Sequence, residues 1–508
     1  MKFLSPIRQN KKRLIAATLY GALIPLSLAP FNLYPLSIIS LLGLLHLWKN
    51  ASAASAALSG WFFGLGMYGA GVSWIYVSIH DFAYTPVLIS IITTLGFVGG
   101  LALLTAAQGF LYGRFNLHRA SLLTFPALWV LFEWLRSWLL TGFPWLYLGY
   151  GMIDTPLSSF APVLGVFGLS WIIALSACLL YGIIFANQKK RIQSVLLLVV
   201  TAIACIALNT VQWVTLSDAP PLKVSLIQGN IPQETKWDAD QKPIIMGLYR
   251  EKTLESWDSD LIIWPEGAIP AYLNEVTDFL STLDQQAQQH DTTLITGILS
   301  YQRPPESEII YYNSIIALGK GTGVYHKQKL VPFGEFVPLQ DQIRGLLPFL
   351  DIPMSSFTRG DPNQSNLTAG QLNIAPFICY EILYPNFVTS RSQNADLLIT
   401  VSNDAWFGRS TGPDQHFQMA RMRALELGTP LLRATNNGIT AHIDHRGQVV
   451  AQAPSYEVFI LNSEVHLTSG KTPFSLWGSS LIIIICFLSL IAGVVLVRTR
   501  HKHPPTEA

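Results

Sequence analysis

Three side chains of different chemistry stand at the ends of apolar runs in the second half of the chain. A carboxylate, Glu266, follows Leu261-Ile262-Ile263-Trp264-Pro265. An amine, Lys327, sits within Tyr325-His326-Lys327-Gln328-Lys329-Leu330-Val331-Pro332-Phe333-Gly334-Glu335. A thiol, Cys379, follows Pro376-Phe377-Ile378 and precedes Tyr380-Glu381. Strand ends are where layered α/β folds usually build their sites. Acyl transfer needs these three groups. A thiol attacks a carbonyl as its thiolate, so a base must take its proton, and a fixed cation or N–H donors must meet the oxyanion that forms. Glu266 fits the base, Lys327 the oxyanion donor and Cys379 the nucleophile. Taken singly, each has an ordinary alternative: an inert buried thiol, a loop carboxylate and a solvated surface amine. Spacing alone leaves those alternatives open.

The elements that must position these groups lie between about Leu222 and Val465, where short apolar runs alternate with amphipathic stretches. Val224–Ile227, Leu261–Trp264, Thr293–Gly297, Ser314–Leu318, Ile374–Ile378 and Leu397–Val401 read as buried strands, and Lys242–Ser256, Glu275–His290 and Pro413–Leu427 as helices. Strands alternating with helices imply a layered α/β domain of ordinary size. No internal repeat or low-complexity tract interrupts it.

The rest of the chain belongs to another solvent. Of the 508 residues half are apolar and only 13% are charged, which points to a membrane protein. Eight stretches read as spanning helices: Arg13–Ala29, Tyr34–Leu47, Ala54–Ile79, Pro86–Tyr112, Leu122–Leu140, Pro162–Ala186, Ile192–Trp213 and Leu476–Val497. The first is read as a retained helix, because Ser27-Leu28-Ala29-Pro30 is a poor cleavage site. Basic residues cluster on alternate loops, at Lys2 to Arg13, Lys49, Arg114 and Arg119, Lys189 to Arg191, and Arg498 to Lys502. Lys and Arg are retained on the cytoplasmic side. Both termini are therefore expected inside and the long segment before the last span outside. The expected organisation is 1–214 as the membrane domain with spans one to seven, 222–465 as an extracytoplasmic catalytic domain, 474–497 as span eight and 498–508 as a cytoplasmic tail. Three of the four cysteines, Cys178, Cys205 and Cys486, lie in apolar runs, so no disulfide framework is expected.

Together the three reactive segments resemble the signatures of the nitrilase, or carbon-nitrogen hydrolase, superfamily: a strand ending in Trp-Pro-Glu, a Tyr-x-Lys-x-x-Leu-Val-Pro-Phe-Gly-Glu stretch and a strand ending in Cys-Tyr-Glu, in that order. The resemblance implies an αββα sandwich with Glu266, Lys327 and Cys379 as its triad, and Glu335 as a second glutamate that orients Lys327 or assists proton transfer. The whole chain resembles one branch, the apolipoprotein N-acyltransferases of bacterial inner membranes, in which such a domain is inserted between the seventh and eighth helices. Further matches are Gly142 to Tyr150, Lys236-Trp237, Ser402-Asn403-Asp404-Ala405-Trp406-Phe407-Gly408 and Gly470 to Phe474. By resemblance Trp237, Tyr380 and Glu381 join the functional set. The implied reaction takes an acyl chain from a phospholipid and places it on a diacylglyceryl-modified apolipoprotein, through a Cys379 thioester, at the periplasmic face.

The near-neutral charge of +2 and the lack of a nucleic-acid motif exclude nucleic acid as a partner. No metal-ligand spacing appears and the reaction needs none, so no cofactor is expected; a monomer is expected. A membrane-tethered amidase that passes its acyl group to water, and a scaffold that keeps the fold for binding only, are the rival readings. Within the spans, Glu133 and Arg136 share a helix face as a functional pair or a structural ion pair. His80 and Asp81 end the third span, against a head group or merely in interfacial water. Trp138, Trp145, Tyr147 and Tyr150 read as an interfacial belt. Leu339–Asn366 and Tyr301–Glu308 are candidate gating loops.

Overall fold

Alternation along the strands decides the layers of the catalytic region. In a strand, successive side chains point to opposite faces, and Leu226, Ile263 and Ile295 join one buried cluster while Ile227, Ile262 and Leu294 join another. The first cluster also takes Ile374, Ile399 and Val401 from a second sheet, so it is the core between two facing sheets. The second takes Ile245 and Tyr249 from the helix Gln241–Leu254 and Leu280 and Leu283 from the helix Thr277–Gln289, which cover the outer face. The computed structural model describes residues 11–305, 308–332, 334–336 and 357–502.

Each sheet is built around a parallel trio. Leu222–Gln228, Leu261–Ile263 and Thr293–Gln302 run parallel in one, and Leu372–Ile378, Leu397–Ser402 and Leu431–Thr435 in the other. The crossovers of the second trio carry the helices Pro385–Arg391 and Gly412–Leu427. Antiparallel strands extend both sheets, Ile310–Gly319 and Val324–His326 continuing the first. All six expected strands and three expected helices are present, most of them with slightly different ends. Phe459–Val465, which pairs with Leu222–Gln228, was not expected. Its Asn462, Ser463 and Glu464 break the apolar pattern.

By its internal contacts the chain divides into two units: residues 77–85 with 213–476, and the remaining described residues. The second of these is helical. Helices Lys11–Leu26 and Ala53–Gly71 meet backbone to backbone, since a Cβ on Gly21 would stand 1.9 Å from the Phe63 carbonyl oxygen and one on Gly66 2.0 Å from that of Thr18. Small residues permit this approach where lipid gives helices little hydrophobic reason to associate.

Against the expected eight spans, four helices among the described residues are long and apolar enough to cross a membrane: Val87–Arg114, Pro156–Phe185, Gln188–Asn209 and Ser480–Thr499. Ala53–Gly71 and Ile75–Phe82 make a fifth if the bent pair is one span. The expected third span is therefore broken, its first helix stopping at Gly71 in a glycine-rich stretch of poor helix formers. Pro35–Trp48 has only 14 residues, or about 21 Å of helix against about 30 Å of hydrocarbon. Lys11–Leu26 and Ser121–Arg136 have 16 each.

Among the described residues no direct ion pair joins Glu133 to Arg136, although their charges interact. Glu133 Oε1 accepts from Trp129 Nε1 at 2.9 Å and from the Leu148 N–H at 3.0 Å, while the Arg136 guanidinium stacks between the rings of Tyr68 and Tyr147. His80 and Asp81 bond to each other at 2.5 Å.

Candidate active site

Two carboxylates and one ammonium form the centre of the site. Glu266 leaves the end of the Leu261–Ile263 strand, and Lys327 directly follows Val324–His326. Lys327 is almost wholly buried; its Nζ lies 2.7 Å from Glu335 Oε1 and 3.5 Å from Glu266 Oε1. Burial works to lower the Lys327 pKa, and the charges of Glu335, Glu266 and Cys379 overcome it, leaving the ammonium well above its ordinary range. It is a fixed cation.

The amide of Asn313 ties the two carboxylates together, donating to Glu266 Oε1 at 2.8 Å and Glu335 Oε1 at 3.1 Å. The other Glu266 oxygen accepts the Asn403 N–H at 2.9 Å, and the other Glu335 oxygen accepts the Val331 N–H at 2.8 Å. Each carboxylate is therefore oriented at both oxygens. Asn313 and Asn403 were missed in the sequence, although Asn403 lies in the quoted Ser402–Gly408 stretch.

Cys379 closes the Leu372–Ile378 strand with φ +51°, a left-handed backbone that side-chain-bearing residues rarely adopt. Burial pushes the thiol pKa up, Glu266 adds to the rise, and Lys327 opposes it. Those influences favour the neutral thiol, the form from which a base would have to take a proton before sulfur could act as a nucleophile.

Glu381 binds the two halves of the site together. Its carboxylate accepts from the Ile378 N–H at 2.8 Å on the thiol side, and from the Gln328 and Lys329 N–H groups at 2.6 and 3.0 Å on the amine side. Tyr325 Oη adds a bond at 2.9 Å. The strand ends carrying Lys327 and Cys379 thus share one buried anchor. Tyr380 is buried with its ring 5.2 Å from that of Tyr384. Trp237 is 39% exposed, on the connection that also carries Lys236. Lys236 is buried, with its ammonium 3.4 Å from the Glu266 main-chain oxygen. Of the candidate gating loops, residues 306, 307 and 339–356 lie outside the described residues.

A thiol at a strained turn, an oriented carboxylate and a fixed ammonium, carried by facing sheets, define a nitrilase-like acyl-transferring enzyme, and residues 223–469 match the Carbon-nitrogen hydrolase family. The carbon-nitrogen hydrolase of Helicobacter pylori is similar at 16% identity over 48% of this chain and 89% of that one, with a TM-score of 0.33. Residues 20–179 match the Apolipoprotein N-acyltransferase N-terminal domain. The apolipoprotein N-acyltransferase of Photobacterium profundum is 41% identical over 502 residues, 96% of each chain. That of Pseudomonas paraeruginosa is 46% identical over 89% of this chain and 90% of its own. The chain belongs to the apolipoprotein N-acyltransferase family and is an acyltransferase.

Proposed function

We propose that the chain transfers an acyl group from a phospholipid to the N-terminal diacylglyceryl-cysteine of apolipoproteins, in two half-reactions through a thioester on Cys379. The observation that carries this reading is the Lys327 ammonium held between Glu266 and Glu335, with the Glu266 and Lys327 charges acting on a cysteine held in a left-handed turn. In the first half-reaction Glu266 takes the thiol proton as sulfur attacks the ester carbonyl, and Lys327 with the Tyr380 N–H stabilises the tetrahedral oxyanion. The ester C–O bond then breaks, Glu266 returns the proton to the departing glycerol oxygen, and a lysophospholipid leaves. In the second the neutral α-amino group of the acceptor attacks the thioester, its proton passes to Glu266, and the C–S bond breaks. The thiolate then recovers that proton.

Glu335 holds Lys327, Glu381 keeps amine and thiol in register, and Tyr380 supplies the oxyanion N–H. Trp237, exposed beside the site, is assigned to substrate contact. We place the catalytic unit, residues 222–465, in the periplasm and both termini in the cytoplasm, with eight helices crossing the inner membrane. The alternating basic loops support that arrangement.

The test is mass spectrometry of the chain after exposure to phospholipid with a labelled acyl chain. Label is expected on Cys379 in a hydroxylamine-labile bond, with none on the Cys379→Ala variant. Label retained by that variant would defeat the reading. Release of free fatty acid in place of acyl-amine, once acceptor is added, would favour hydrolysis.

A further inference from the structure

A group that the mechanism above does not use grips the peptide that follows the thiol. His416, buried on the helix Gly412–Leu427, places Nε2 3.1 Å from the Cys379 carbonyl oxygen. A carbonyl only accepts, so Nε2 carries a hydrogen in either protonation state of the ring. The other ring nitrogen, Nδ1, lies 3.1 Å from Asp404 Oδ1 and 3.2 Å from Arg433 Nη2. Asp404 is fixed in turn by Arg433 at 2.6 Å and by Ser402 Oγ at 2.8 Å. All four side chains are buried. Space around them is tight, since a Cβ on Gly438 would stand 2.3 Å from Asp404 Oδ2.

The geometry of one peptide links this network to the chemistry. In a planar trans peptide the C=O and N–H point in opposite directions. The carbonyl held by His416 is therefore in the same rigid plane as the Tyr380 N–H, the donor assigned to the oxyanion. Cys379 itself sits at φ +51°, a conformation that persists only where surrounding contacts determine it. Were that plane to rotate, a carbonyl would replace the donor.

We infer that His416, backed by Asp404, is a positioning residue that locks the Cys379–Tyr380 peptide so that the Tyr380 N–H faces the developing oxyanion. The inference rests on the thioester reading above. It acts on the transition state and leaves the thiol itself alone.

Two rates measured on the full chain in detergent separate these effects. Acylation of Cys379 by labelled phospholipid passes through an oxyanion, whereas alkylation of the same thiol by iodoacetamide does not. His416→Leu should lower acylation about 100-fold, the scale of losing one oxyanion donor, with alkylation near the wild-type rate. His416→Gln, whose amide nitrogen reaches the Nε2 position, should recover part of the acylation rate. His416→Asn, which reaches only the Nδ1 position, should not. Parallel loss of both rates, undiminished acylation in the Leu variant, or equal behaviour of the Gln and Asn variants would overturn the inference. The Gln and Asn comparison decides it if the Leu variant does not fold. An unlabelled wild-type Cys379 would bring down the thioester reading and this inference with it; a labelled wild type with an unaffected Leu variant removes the inference alone.

Discussion

Lys236 carries its ammonium into the interior beside the turn that holds Glu266, where it donates a long hydrogen bond of 3.4 Å to the Glu266 carbonyl. Burial lowers its pKa to about 8 from an ordinary 10.5, with Glu266 opposing the shift. Between those values the unfolded chain binds this proton more fully than the folded one, so stability rises with pH across that window. Below pH 8 the penalty of burying the charge is present in full. Lys236→Met should therefore raise the unfolding temperature at pH 7, by a stability increment on the order of 3 kcal/mol, and flatten the rise between pH 8 and 10.5. Thermal unfolding of both chains at pH 7 and 10 checks this; identical pH dependence would remove the charge from the explanation. At this scale the sequence was partly legible. Glu266, Lys327 and Cys379 could be picked out because each follows or joins a recognisable local run. Asn313 and Asn403 could not, because the carboxylate that gives them meaning lies 47 and 137 residues away.

Among the elements, the join between the Leu261–Ile263 strand and its parallel neighbour Thr293–Gln302 sets where Glu266 points. Gly297 lies on that neighbour, and a Cβ there would come within 2.6 Å of the Pro265 carbonyl oxygen, 2.7 Å of Glu266 Cα and 2.8 Å of the Gly267 nitrogen. Every one of these is backbone, so nothing flexible can yield. Gly297→Ala should push the whole Pro265–Gly267 turn and lower the acylation rate by about 100-fold, since a displacement near 1 Å costs that much. Acylation kinetics alongside circular dichroism tests it, and a fully active Ala variant would show that the turn does not set the position of Glu266. Strands with continuous apolar runs were legible, as in Leu397–Ser402, while Phe459–Val465 escaped notice. Its register is imposed by Leu222–Gln228 across the ladder.

For the whole molecule, the proposed topology makes a sided prediction. Asp291 is exposed on the catalytic unit and Gln188 begins the helix Gln188–Asn209 beside a basic cluster. In intact spheroplasts a membrane-impermeant maleimide should label Asp291→Cys and leave Gln188→Cys unlabelled until the cells are broken. Labelling in the reverse order would place the catalytic unit in the cytoplasm. Apolar side chains exposed along Val87–Arg114 and Gln188–Asn209, such as Leu88, Ile92 and Leu95 or Leu196, Ile203 and Ile206, match a lipid surround. Apolar runs announce lipid, but helix length depends on breaks such as the one after Gly71.

Residues 77–85 lie far from 213–476 along the chain yet share their unit. Ser78 Oγ bonds the Trp406 carbonyl oxygen at 2.7 Å, and the rings of Phe82 and Trp406 meet edge to face at 6.0 Å. Anyone cutting out a water-soluble fragment at residue 213 would therefore strip this strap away and leave an aromatic scar beside Gly408. Such a fragment is poorly suited to stand for the intact enzyme unless the nine-residue piece is grafted back.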